Sequence, residues 1–223
     1  MRTGILVVSL GLLALPASAA MLEASDYDAS RFLPPPPAQD SIRTRGELQE
    51  LHAIAVIASD ARKAAATHDA HDETPDIFNA AIGFDIATTP QTQKLLQIVV
   101  DEEDPDSKAA KSFFHRLRPY AADPTLVTCE TPKPGKPANS YPSGHSTLGF
   151  AMGVVLAQVM PDKAQAILAR AGEYAENRLV CGVHYRSDIV AGQQFGTILA
   201  LKLMQKPAFQ QQMAAAQTEL KGR

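Results

Sequence analysis

The 223-residue sequence has no tryptophan, only two cysteines and 6% aromatic residues. Each scarcity excludes something. Two cysteines cannot staple a disulfide-rich scaffold or complete a cysteine-based zinc module. So few aromatic rings argue against a base-stacking platform. A surplus of one charge is also missing: 21 Lys+Arg against 24 Asp+Glu leave a formal charge of −3. Nucleic-acid binders carry a basic excess, so no nucleic-acid partner is expected. Period-2 alternation of useful length is absent, as are internal repeats. What is present, 45% hydrophobic and 20% charged residues, is globular composition, with length enough for one domain and a real core.

The first apolar run, Ile5 to Leu15, follows Arg2 and precedes Ala17-Ser18-Ala19. That is the three-part form of a secretory signal peptide, cut before Ala20. The run is short of the ~20 residues a spanning helix needs, so a stable membrane anchor is not expected. Residues 1–19 therefore read as an address to an oxidising space, periplasmic or extracellular. Residues 20–40 read as an extended lead-in, ending in Phe32-Leu33 and Pro34 to Pro37, a polyproline-like strap laid on the body.

Residues 41–223 read as helical. Thr44 with Glu47 forms a capping-box pattern ahead of Leu48, Leu51, Ile54 and Ile57. The run from His68 to Glu73 reads as a solvated helix end rather than a metal site. Thr89-Pro90 opens a helix, Asp104-Pro105 is expected to break it, and Ser107 leads another to Pro119. Ala121 to Tyr141 is loop. Thr147 to Met160 is apolar except for Gln158 and reads as a long central buried helix. Asp162 is expected to cap the next helix, to about Arg178, and a last helix runs from about Arg186 to Gln205. The fold class is all-α: a single-domain helical bundle with a long central buried helix.

Chemistry concentrates in three blocks. Lys111 and Arg118-Pro119 are seven residues apart, two helical turns, which puts two cations on one face. Pro142-Ser143-Gly144-His145 stands directly before the apolar helix. A helix start offers free N–H groups, Gly144 permits close backbone approach, Ser143 supplies a hydroxyl, and His145 can carry a proton near neutral pH. Arg178, His184 and Asp188 form the third block, with His184 and Asp188 at i and i+4, so a carboxylate can orient an imidazole. Three cations, an anion cradle and two histidines with distinct partners are the inventory for metal-free phosphoryl transfer. On their own these residues do not choose which histidine attacks.

Lys111-x6-Arg118-Pro119, Pro142-Ser143-Gly144-His145 and Arg178-x5-His184-x3-Asp188 resemble the three-part signature of the phosphatidic acid phosphatase type 2 and vanadium haloperoxidase superfamily. Ser140 to Ser146, the Cys181-Gly182 pair and Phe32 to Pro37 are similar, more narrowly, to class A bacterial non-specific acid phosphatases. The resemblance runs from about residue 30 to residue 203. One departure is Asn177, where the family usually has serine before the arginine.

The resemblance implies that His184 is the nucleophile, forming a phosphohistidine, that Asp188 orients it, and that His145 is the general acid. It implies that Lys111, Arg118, Ser143, Gly144 and Arg178 hold the phosphate. No metal and no cofactor is implied. A neutral nucleophile beside a protonated acid gives a bell-shaped rate profile with an acidic optimum. Cys129 and Cys181 are the only pair that can bridge, and would tie the nucleophile turn to the phosphate loop. The expected substrates are small-molecule phosphomonoesters, with phosphate transfer to alcohols a further capacity, and a homo-oligomer is compatible with the chain. The competing readings are a vanadate-dependent haloperoxidase and a non-catalytic periplasmic phosphate-binding protein, the latter having no use for the His184–Asp188 pair.

Overall fold

The structure, a computed structural model, describes residues 20–23, 26–131, 135 and 138–222. The leader at 1–19 lies outside the described residues. Every regular element among those described is helical. In chain order these are α1 (Ala29–Phe32), α2 (Ile42–Ile57), α3 (Asp60–Asp69), α4 (Asn79–Ile82), α5 (Pro90–Phe114), α6 (Pro119–Ala122), α7 (Gly144–Val159), α8 (Ala164–Val180), α9 (Arg186–Leu203) and α10 (Pro207–Glu219). Single 3-10 turns link some of them. The all-α expectation holds.

The apolar helix α7 occupies the centre, with α5, α8 and α9 packed around it. Leu148, Ala151, Met152, Val155 and Leu156 are all buried. A helix apolar all round has no face to give to water, and this position satisfies it. On α9, a Cβ at Gly192 would lie 2.6 Å from the Ser143 carbonyl oxygen, and one at Gly196 would lie 2.1 Å from that of Thr147. Only glycine lets the two helices come this close. The approach sets the start of α7 beside the start of α9, where the Ser143 N–H donates to the Asp188 carbonyl at 3.1 Å.

Several local expectations are corrected. The chain does not break at Asp104-Pro105: α5 runs through Pro105. Its face of Leu95, Leu96, Val99, Glu103, Ser107 and Ala110 stays buried on both sides of the proline, and that packing outweighs the ~3 kcal/mol that an interior proline costs. The helix ends at Phe114, with His115 in left-handed conformation at φ 49°. Arg118 is therefore not on the helix of Lys111; it stands just ahead of α6. Helix α2 starts under Ser41, whose hydroxyl accepts from the Thr44 N–H, so Thr44 is not its cap. Asp162 lies in a 3-10 turn, and α8 has Lys163 at its cap position.

Helix α10, which no sequence pattern singled out, packs on α5, and its Glu219 accepts from the N–H groups of Gln91 (3.0 Å) and Thr92 (2.9 Å) at the start of α5. The described residues of the lead-in contain one helical turn, α1, and are tied to the body by side chains at both ends. Tyr27 stacks on Phe195 at 3.9 Å and donates to its carbonyl at 2.6 Å, and Tyr141 donates to the Pro34 carbonyl at 2.7 Å.

Candidate active site

The ends of four helices meet at one cavity of about 740 Å³. Lys111 comes from the last turn of α5, Gly144 and His145 from the first turn of α7, and Arg178 from the last turn of α8. Arg118 and His184 come from the connections before α6 and α9. All six line the cavity. Asp188 and Ser143 stand behind them. The Ser143 hydroxyl is fully buried and accepts from the Ser146 N–H, so here it serves as the cap of α7.

His184 is clamped from both sides. Its Nδ1 meets Asp188 Oδ2 at 3.3 Å and its Nε2 meets Arg118 Nη1 at 2.8 Å. An arginine N–H can only donate, so Nε2 is the lone-pair nitrogen and Nδ1 carries the hydrogen. Burial, then Arg118, Arg178 and Lys111, push the imidazole well below its usual range. His184 is thus a neutral ring with its basic nitrogen turned to the cations.

Asp188 is itself held by four groups. It accepts from Arg116 at 2.7 Å, Ser140 at 2.6 Å and the Tyr185 N–H at 2.8 Å, besides His184. Its link to His184 is the i,i+4 contact expected from the spacing, made across the start of a helix rather than along one. His184 precedes α9, and Asp188 reaches back from the third position of that helix. Complete burial pushes its carboxyl up, against the pull of Arg116.

The cationic end is open to a ligand. Arg178 gives one Nη2 to Glu130 at 3.0 Å, while its buried Nε and Nη1 have no partner. Arg118 spends Nε on Asn139 at 3.0 Å and Nη1 on the Val183 carbonyl at 2.8 Å. Burial and Arg118 bring the Lys111 ammonium down to about 8. Buried donors without acceptors next to a helix start have the chemistry to take an anion.

His145 sits opposite, its Nδ1 3.1 Å from Glu73 Oε1 and its Nε2 3.3 Å from the Ala70 carbonyl, with its ring stacked on Tyr174. Both neighbours accept, which suits a doubly protonated ring. Burial and Arg178 oppose that and push its titration well below the usual range.

Other participants were not singled out in the sequence. Arg116, buried between Asp188 and Glu47, lies inside the first block and was passed over. Glu73 and Asp69 fall in the run read as a solvated helix end. Asp69 is instead buried, pairing with Arg170 at 2.7 Å and accepting from Asn177 at 2.6 Å. The Asn177 departure thus keeps a hydrogen bond behind Arg178. Cys129 and Cys181 form a disulfide beside His184. Among the described residues, no group of three His, Cys, Asp or Glu side chains is arranged to hold a metal ion.

The profile of the PAP2 superfamily matches residues 95–211, which spans all three blocks. The chain belongs to the PAP2 superfamily. Within it, the non-specific acid phosphatase of Providencia stuartii is 31% identical over 200 residues, covering 86% of this chain and 80% of that protein. The non-specific acid phosphatase of Salmonella typhi is 30% identical over 200 residues, covering 85% and 78%. Among solved structures, the transmembrane PAP2-type phosphatidylglycerolphosphate phosphatase of Bacillus subtilis overlays with a TM-score of 0.54 at 16% identity, over 73% of this chain and 85% of that one. That likeness concerns the fold alone. Among the described residues here, no helix is long and apolar enough to cross a membrane. The resemblance read from the motifs, and the expectation of an enzyme of the phosphatase kind, are borne out.

Proposed function

We propose that this PAP2 protein is a secreted, metal-independent acid phosphatase that hydrolyses phosphomonoesters through a phosphohistidine at His184. In this reading residues 1–19 are the cleaved leader, and residues 20–40 are the strap of the mature enzyme. One observation carries the chemistry: His184 Nε2 is a lone-pair nitrogen held by Arg118 at a cavity where the buried Nε and Nη1 of Arg178 have no partner, with Asp188 behind Nδ1.

The steps follow from the groups present. Lys111, Arg118, Arg178 and the N–H groups at the start of α7 take the phosphate oxygens. Nε2 attacks phosphorus, the P–O ester bond breaks, and its electron pair goes to the leaving oxygen, which takes a proton from His145. Burial and then Arg178 lower the His145 titration; the phosphate dianion offsets the cationic part of that shift, so substrate binding favours the charged acid, with Glu73 at its other side. Water then attacks the phosphohistidine and gives a proton to His145. Inorganic phosphate leaves and neutral His184 is restored. An alcohol in place of water would yield phosphate transfer.

The test is p-nitrophenyl phosphate hydrolysis in excess chelator by wild type and His184→Ala. Activity that survives chelator and vanishes in the variant supports the reading. Chelator-sensitive turnover, or turnover in His184→Ala, overturns it.

A further inference from the structure

Away from the cations the cavity changes sign. Its wall along α5 carries Asp101, Glu103 and Asp104. Three of the other acids at this cavity already face a basic side chain. Asp104 pairs with Lys108 at 2.6 Å, Glu130 with Arg178 at 3.0 Å, and Glu73 faces His145 at 3.1 Å. Glu103 differs: it is only 7% exposed, and its Oε1 has no hydrogen-bond partner. Burial holds its carboxyl up at about 8, against the pull of Lys111. A carboxyl in that condition is one for which an incoming cation is the missing partner.

Glu103 also lies close to the phosphate end. The point that a Cβ on Gly144 would occupy is 2.9 Å from Lys111 Nζ, 3.2 Å from Ser107 Oγ and 3.9 Å from Glu103 Oε1. Ser107 Oγ is likewise buried without a partner. The cavity far exceeds one phosphate group, and the volume left over is where the leaving alcohol must sit. Glu103 lines that volume.

We propose that the leaving-group side of the cavity is a cation subsite centred on Glu103, which favours phosphomonoesters whose alcohol carries an ammonium group, as aminoalkyl phosphates do. The subsite rests on the phosphatase reading and narrows it. The ammonium donates to Glu103 while the phosphate engages Lys111. The same wall disfavours a second phosphate, so phosphoanhydrides are poor substrates.

The experiment compares kcat/KM at pH 8 to 9, where a carboxyl held up at about 8 is ionised, for 2-aminoethyl phosphate, its N-acetyl derivative, propyl phosphate and inorganic pyrophosphate. It uses the full protein as wild type, Glu103→Gln and Glu103→Ala. Wild type is expected to favour aminoethyl over propyl phosphate by about tenfold, the scale of one charge-assisted contact. N-acetylation, which removes the charge, abolishes the preference. In both variants the preference falls within about threefold, and pyrophosphate gains relative to propyl phosphate. Each ratio is read within one protein, so a general loss of activity cancels. If neither variant folds, the N-acetyl comparison in wild type decides alone. Propyl phosphate hydrolysed as well as aminoethyl phosphate, or a preference that survives both substitutions, overturns the subsite and leaves the phosphatase reading standing. No hydrolysis of any ester by wild type overturns both.

Discussion

Arg116 donates to Asp188 at 2.7 Å while its other terminal nitrogen donates to Glu47 at 3.0 Å. All three side chains are buried, and Arg116 also lies over the Tyr185 ring at 3.9 Å. The carboxylate that orients His184 thus owes its charge to an arginine that never reaches the cavity. Arg116→Met would remove a cation shared by two buried acids. Breaking such a pair costs about 3–5 kcal/mol, and Asp188 would then take up a proton and release His184. We expect a lowered denaturant midpoint together with a kcat loss of at least about tenfold. Glu47→Gln, which keeps the Asp188 contact, should lose stability but much less kcat. Wild-type kcat in Arg116→Met would contradict the relay.

Gly144 tests the phosphate cradle. The Cβ of Gly144→Ala would fall 2.9 Å from Lys111 Nζ, the mobile end of a long side chain. The lysine can swing away, so stability should change by less than about 1 kcal/mol. The displaced ammonium no longer meets the phosphate. KM for p-nitrophenyl phosphate should rise about tenfold or more, with a smaller effect on kcat.

The alkaline limit of binding follows from Lys111. Burial and Arg118 bring its ammonium down to about 8. Below that pH the group is a cation and above it is neutral, so KM should climb as pH rises through about 8. Lys111→Arg keeps its charge at any accessible pH. Its KM should therefore stay flat over that interval, whatever its starting value. Equal upturns in both proteins would assign the limit to another group.

His145 is expected to separate substrates by their leaving group. An alkoxide needs a proton to depart and a p-nitrophenolate does not. In His145→Ala, the single-turnover transfer rate should fall by a factor of about 10² to 10⁴ for an alkyl phosphate. It should fall far less for p-nitrophenyl phosphate. Equal losses on both would remove His145 from the acid role.

The sequence displayed these partners unevenly. The three blocks were legible because each packs its chemistry into a few adjacent residues, and the all-α class because the apolar run of α7 has helical length and no alternation. The geometry between blocks was legible only in part. Lys111 and Arg118 do converge, yet through a left-handed turn at His115 rather than along one helix face. Pro105 carried a local breaking signal that tertiary packing overrode. Asp69 read as a solvated acid, and Glu103 drew no reading, because burial is a property of the assembled bundle. Only when α3, α5 and α8 close do Arg170 and Asn177 reach Asp69, or does Glu103 lose its water.

The disulfide joins two parts of the site that no helix connects. Cys129 and Cys181 are 52 residues apart in sequence. Glu130, next to Cys129, holds Arg178, and Cys181 stands at the end of α8, three residues before His184. In the chain-entropy model a loop of this length is worth about 4 kcal/mol. Replacing both cysteines by serine should lower the unfolding free energy by about that amount. A purely global effect would leave activity intact at temperatures where the variant remains folded. The geometry argues otherwise, because the Cys129 N–H also donates to the Cys181 carbonyl at 3.3 Å, and a Cβ at Gly182 would lie 2.6 Å from the Val127 carbonyl oxygen. The loop and the turn that carries His184 are pressed together there, and without the bridge both Glu130 and His184 gain freedom. We therefore expect kcat/KM to fall several-fold in the folded serine variant, measured well below its unfolding midpoint, with circular dichroism still helical. Full activity in that folded variant would restrict the bridge to stability.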